Sequence, residues 1–303
     1  MSTAVSTETP AATPGRAGTG LSTRRKVTDR TATVLVWGAF LLAMVPLVWI
    51  LWTVVSKGAG LLGSLDWWTN SQAGITPRRP GGGAYHALLG TLLMSFVTML
   101  IAVPVAVFTA IYLTEYGRGR FARVVSFMVD ILTGVPSIVA ALFVYAVWIT
   151  VLGQQRAGFA VSLALVLLMV PVVVRSTEEM LKLVPNELRE ASYALGVPKW
   201  KTIARIVLPT AASGIITGIL LGLARIMGET APLIILAPYT TFINTDLFSG
   251  PMAALPTLIF SNFGNDVAPA VERMWAAALT LILLVLVLNL AGRFVARFSA
   301  VRR

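Results

Sequence analysis

Arg225 and Glu229 are the residues of this chain best placed to do chemistry. They stand four positions apart, one helical turn, inside the apolar stretch GIITGILLGLARIMGETAPLI, Gly214 to Ile234. A guanidinium presents a planar fork of donors that fits a tetrahedral oxyanion, and in a desolvated channel it selects for anions. A glutamate one turn away can pair with it and lower the cost of several kcal/mol that each isolated charge meets in a bilayer. Two readings stay open. The pair is a structural ion pair, or it is a fork that Glu229 neutralises when empty and releases when an anion arrives.

The element that must carry the pair is a membrane helix with a close-packed face. Gly214, Gly218 and Gly222 recur every fourth residue, a spacing that lets helices approach closely in lipid. At 100° per residue, Arg225 lies about 20° from the directions of Gly214 and Gly218, and Glu229 about 40° further on. Both charges are therefore expected on the packed face. The run Thr230 to Thr245, too short to span alone, reads as an extension of the same helix, which sets both charges well inside the bilayer.

The composition requires such helices. Of 303 residues 56% are hydrophobic and 12% charged, with a mean hydropathy of +0.81, more apolar surface than a soluble domain can hide. Six runs are long enough to cross a bilayer: Thr31 to Ser56, Ala87 to Thr114, Ile131 to Gln155, Ala157 to Val174, Ile206 to Ala224 and Met274 to Gly292. Pro46, Pro104, Pro136, Pro171 and Pro232 fall within apolar runs and read as kinks or hinges that neighbouring helices tolerate. Arg24-Arg25 before the first run resembles a targeting signal, but that run is too long and no cleavage pattern follows it, so it reads as the first anchor helix.

A net charge of +11 suggests nucleic acid, yet the basic residues sit in short clusters between apolar runs and not along one face. Topology explains them. Eighteen of the 24 Lys and Arg lie in the N-terminal tail, the connections around Arg118 to Arg123 and Arg175 to Arg205, and the C-terminus. These are expected on the cytoplasmic side, with both termini. Residues 1–22, rich in Ser, Thr, Ala, Pro and Gly, read as a disordered cytoplasmic tail, 23–84 as the first span and an outer loop, and 85–303 as the main transmembrane domain. With no Cys there is no thiolate chemistry, and the lone His86 reads as a loop residue, so no metal site is expected. Trp67-Trp68 reads as an interfacial anchor, and Phe248 to Phe263 as a short surface helix facing an outer partner.

The cytoplasmic connection Arg175 to Arg205 is too long for a tight turn and carries helix signals of its own. Pro185-Asn186, followed by Glu187 and Glu190 in the first turn, starts a helix; Gly196 and Pro198 stop it. Its small residues Ala191 and Ala194 suit close approach by another protein's groove. A solvated helix on the membrane surface is the other reading.

Glu190-Ala191-Ser192, Gly196 and then Ile206-x-Leu208-Pro209 resemble the EAA loop of permease subunits of ATP-binding-cassette importers, with Ser192 in place of the commoner second Ala. The resemblance implies an all-α polytopic membrane protein with six transmembrane helices, the type I ABC importer permease fold, and a cytoplasmic coupling helix at 187–200. Glu190, Ala191, Ser192 and Gly196 would then contact a cytoplasmic ATPase. The chain itself has no GxxxxGK[ST] sequence, so ATP and Mg would sit on that partner, and no cofactor or catalytic residue is expected here. ARIMGETAPL, GVPKWKTIARIVLP, Gly90 to Tyr116 and Asp130 to Val144 look like the phosphate-specific transport permeases, nearer the PstA type than the PstC type. That resemblance implies inorganic phosphate as cargo, Arg175 and Arg225 as residues needed for transport with Glu229 beside the second, and residence in a bacterial inner membrane. It also implies a second, PstC-like permease chain, a PstB-like ATPase dimer, a PstS-like phosphate-binding protein outside, and membrane lipid, without nucleic acid. Molybdate and sulfate permeases share the loop but are less similar around Arg225. An ion-coupled secondary transporter is the other rival; an intramembrane enzyme lacks a paired-Asp, Ser-His or metal-ligand set.

Overall fold

The computed structural model describes residues 23–301, with side chains for Arg25 and for residues 27–294. The expected N-terminal tail lies outside the described residues. Every element among the described residues is helical: α1 Thr23–Leu62, α2 Leu65–Thr69, α3 Tyr85–Ile111, α4 Gly119–Gly134, α5 Ser137–Val144, α6 Gly158–Lys182, α7 Asn186–Ala194, α8 Lys199–Thr202, α9 Leu208–Met227, α10 Ala231–Leu236, α11 Leu255–Asn262 and α12 Ala268–Val301. Widened turns prolong α3 through Tyr112–Tyr116 and α5 through Tyr145–Val151, and one at Ile203–Val207 joins α8 to α9.

Five helices are long and apolar enough to cross a membrane on their own, and the remaining expected span, Ile131 to Gln155, falls on a bent helix pair that is long and apolar enough only when taken together. α4 and α5 meet at 109° across Val135-Pro136. Proline lacks the N–H a continuing helix needs and pushes the residue before it out of helical geometry; Val135 is extended, at ψ 125°. Of the five prolines read as kinks, Pro46, Pro104 and Pro171 do lie inside helices. Pro136 and Pro232 instead begin α5 and α10, where a missing N–H costs nothing.

The chain divides after Trp52 into two compact units. The described part of the first is the apolar helix of α1 up to Trp52. The second, from Thr53, is built around α6, fourteen of whose 25 residues are buried, and which packs on α3, α4, α5 and α9. The glycine seam is the α6–α9 contact: Gly214 meets Met180, Gly218 meets Ser176, and Gly222 meets Val173 and Met169. A Cβ at Gly218 would overlap the Ser176 hydroxyl. Gly218→Leu is therefore expected to overpack the seam by about 3 kcal/mol or more and to remove monodisperse protein from detergent extracts. A normal yield would show that the seam can open.

Three expectations change in this unit. Trp67 is no interfacial anchor: it is fully buried, and its indole N–H donates to Thr280 Oγ1 at 2.9 Å. Its amphipathic ring finds an apolar bed in Ala84, Ala87, Leu255, Leu258, Ala276 and Ala277. Of the segment Phe248 to Phe263 only α11 is helical, and it is half-sunk: Leu255 and Leu258 enter that same cluster and the helix packs on α12, while Phe248, Phe260 and Phe263 stay exposed. His86 belongs to α3 and not to a loop, and it is buried beside Tyr239 with ring centroids 6.4 Å apart.

Candidate functional site

Arg225 occupies the last turn of α9, and the helix ends two residues later at Met227. Gly228 and Glu229 turn the chain out by donating to the carbonyls of Arg225 and Ile226. The expected extension of this helix to Thr245 therefore fails: α10 is six residues long and the chain beyond it is loop. Proline at 232, in the first turn of α10, supplies the restart. Arg225 lies at the end of α9 remote from the α7–α8 loop. The expectation that the packed face buries both charges also changes. The glycine seam follows α6 as far as Met169, opposite Gly222; Arg225 lies almost a turn beyond it, its side chain 49% exposed, and Glu229 is 18% exposed.

Their geometry is loose. Arg225 Nε stands 3.9 Å from Glu229 Oε1, inside ion-pair range but too long for a hydrogen bond. Among the described residues no other acidic group pairs with Arg225, and its two terminal nitrogens have no hydrogen-bond partner.

Arg175 is in the opposite condition. One of its terminal nitrogens donates to Glu178 Oε2 at 2.5 Å, and the other to Ser126 O at 3.0 Å, to Ser126 Oγ at 2.9 Å and to Asp130 Oδ1. Two carboxylates thus surround one guanidinium and lace α4 to α6. An open cavity of about 470 Å³ adjoins this network, lined by Leu113, Gly117, Gly119, Ala122, Arg123, Ser126 and Glu178. The two arginines carry separate pairs. Ser176 is level with Gly218, so Arg225 lies about 10 Å further along the helix axis than Arg175 does.

The loop helix forms as its signals predict. α7 runs Asn186–Ala194 with Glu187 in its first turn and stops in a glycine cap: Gly196 has φ 74°, its N–H reaches Tyr193 O, and Val197 N–H reaches Ser192 O. Glu190, Ala191, Ala194 and Gly196 are exposed, and so are Leu188, Tyr193 and Leu195. Ser192 alone in α7 is buried, its hydroxyl 2.8 Å from that of Thr202 in α8. The named loop residues therefore divide: Glu190, Ala191 and Gly196 face out, while Ser192 fastens the loop to α8.

Two groupings went unseen in the sequence. Arg189 and Glu115 form a largely shielded pair at 2.9 Å. At the other end, Arg273 is buried and holds the loop 76–81 through the carbonyls of Thr76, Pro77, Arg79 and Gly81.

Comparison with known proteins converges on one family. The model for binding-protein-dependent transport system inner membrane components matches residues 102–300. The phosphate transport system permease protein PstA of Mycobacterium leprae (strain TN) is 55% identical over 283 residues, 93% of each chain. PstA 1 of Mycobacterium tuberculosis (strain ATCC 25618 / H37Rv) is 54% identical over 283 residues, 93% of this chain and 92% of its own. PstA of Yersinia pestis is 42% identical over 272 residues, 89% of this chain and 90% of its own. Among solved structures, a bacterial alginate ABC transporter shares the fold at TM-score 0.57 and 18% identity, covering 89% of this chain and 96% of its own. A methionine ABC transporter, MetNI, does so at TM-score 0.55 and 20% identity, covering 71% of this chain and 94% of its own. A chain of membrane helices that matches the family model across its packed core, and these relatives over nearly its whole length, belongs to the binding-protein-dependent transport system inner membrane component family.

Proposed function

We propose that this chain is the permease subunit of an ATP-driven importer of inorganic phosphate. The observation that carries the reading is the 55% identity, over 93% of both chains, to a phosphate transport system permease. The geometry supports it: Arg225 keeps its terminal nitrogens free for a tetrahedral oxyanion, with Glu229 near enough to stand in as counter-charge when the path is empty. Arg175 is a second residue of the path nearer the loop end, its charge offset by Asp130 and Glu178 when no anion is present. The loop end, with Arg118, Arg120, Arg123, Lys199 and Lys201, lies in the cytoplasm with both termini, as positive loop charge dictates.

Transport by this chain needs partners. A second permease chain completes the path, an ATPase dimer carries ATP and Mg and docks on α7, and a binding protein delivers phosphate outside. ATP binding moves α7, and the membrane helices follow. This subunit supplies the path and the coupling surface and hydrolyses nothing itself.

Labelled phosphate uptake into proteoliposomes holding the assembled complex tests the reading. Uptake is expected to require ATP, to survive collapse of ion gradients, and to resist competition by sulfate and molybdate. Uptake driven by an ion gradient without ATP would replace the reading by secondary transport, and competition in favour of molybdate or sulfate would replace the cargo.

A further inference from the structure

α7 touches the rest of the molecule at few points, and the strongest is the Arg189 side chain. Its Nε and one terminal nitrogen both donate to Glu115 Oε1, at 3.2 and 2.9 Å. The terminal nitrogens also reach Leu181 O at 2.9 Å and Val184 O at 2.6 Å, at the end of α6. Both partners are withdrawn from solvent, Arg189 to 13% and Glu115 to 6% side-chain exposure. Such a pair is directional, and it is hard to break from the Glu115 side: among the described residues Arg189 is the only partner of that shielded carboxylate, whereas Arg189 would keep its backbone carbonyls.

Glu115 sits in the widened turn that ends the α3 rod, where Gly117 N–H reaches back five residues to Tyr112 O. The same turn is gripped from a second side. Lys199, the first residue of α8, donates to Glu115 O and lies 4.8 Å from the Tyr116 ring centre. Two elements of the cytoplasmic loop thus converge on the end of a helix that is not their neighbour in sequence. α3 then runs about 40 Å to the other face. There Gly90 lies against the Ala253 backbone, and Thr91 Oγ1 accepts the Leu255 N–H at 2.9 Å.

We propose that Arg189 and Glu115 form a rigid joint that carries the motion of α7 into α3, giving the coupling helix a route to the far face besides the α6 and α9 rods covalently joined to its loop. Arg189 and Glu115 are positioning residues: neither touches cargo or nucleotide. The joint rests on the reading of α7 as the ATPase docking helix. It makes α7 and the end of α3 one body throughout the cycle, so their mutual distance stays constant while both move relative to α12.

Charge reversal tests this in the assembled importer. Arg189→Glu and Glu115→Arg are each expected to cut phosphate carried per ATP hydrolysed by about tenfold or more while the ATPase still co-purifies. The ratio separates a joint from a fold defect, which lowers assembly and leaves the ratio alone. Single reversals with a normal ratio would overturn the joint. The chain has no Cys, so Arg189→Cys with Glu115→Cys can be bridged by a bismaleimide matched to the span of the pair. Bridging is expected to proceed equally with and without bound ATP and to restore the lost ratio. Bridging that depends on nucleotide, or that arrests uptake, would show that α7 slides on α3 and would end the proposal. The unsubstituted complex in the same assay keeps the two readings apart. If it fails to carry phosphate, the cargo is wrong; if it works while the bridged complex is dead, the joint is wrong.

Discussion

Arg225→Gln is expected to reduce phosphate uptake by about 100-fold or more while the complex assembles normally. Hydrogen bonds from a charged donor are worth about 1.5–3 kcal/mol each, so losing a two-pronged contact removes about 3–6 kcal/mol, roughly two to four powers of ten in affinity. Assembly is spared because the guanidinium makes no hydrogen bond with any described residue, and its ion pair with Glu229 is 3.9 Å long with the arginine half exposed. Arg225→Lys is expected to fall between, because an ammonium keeps the charge and loses the planar fork. Glu229→Gln tests the counter-charge. With the carboxylate gone, phosphate is expected to bind more tightly and leave more slowly, so half-saturation and maximal rate fall together. If Arg225→Gln transports normally, or if Arg225→Gln is rescued by Glu229→Gln, the pair is structural and the cargo site lies elsewhere.

How much of this was visible in the linear chain depends on how far apart the interacting residues are. α7 was legible because every signal is local: a proline and acidic residues at its start, a glycine at its stop, within a dozen residues. The glycine seam was legible because a repeat of four is a property of one helix. Contacts between distant residues were not legible. Trp67 binds Thr280 across 213 positions and Arg189 binds Glu115 across 74, and no periodicity announces either. Trp67 was misplaced for that reason, since a tryptophan beside an apolar run looks the same whether it caps a core or floats in an interface. The helix stop at Gly228 and the bend at Pro136 are different cases. Their glycine and proline signals are present in the sequence, but apolar residues run on past both, so a reading by hydropathy joins what backbone geometry separates.

The candidate cargo site divides the same way. Arg225 and Glu229 were found from type and spacing, yet their exposure was not, because it depends on where α6 ends its contact with α9. Arg175 was named by resemblance alone; its two carboxylate partners come from its own helix and from α4, and only the fold shows that it is already neutralised.

Glu190→Lys is expected to lower co-purified ATPase by about tenfold, or to leave hydrolysis running without phosphate uptake. Its diagnostic value lies in what Glu190 does not do. The side chain is exposed and makes no hydrogen bond or ion pair with any described residue of its own chain, so reversing its charge is expected to change folding by no more than about 0.5 kcal/mol, as for other surface positions. Any larger effect belongs to a partner. Ser192 cannot be read this way, because its hydroxyl is buried against Thr202 and its loss loosens the loop itself. Gly196 cannot either: at φ 74° a Cβ is strained by about 1 kcal/mol, and the helix stop weakens whether or not anything docks there. Glu187→Lys supplies the comparison, being an exposed charge reversal one turn earlier on the same helix. If Glu190→Lys uncouples and Glu187→Lys does so less, the contact is centred on the face that carries Glu190, Ala191 and Ala194. If neither changes assembly or coupling, α7 is a surface helix and the ATPase must grip the chain elsewhere.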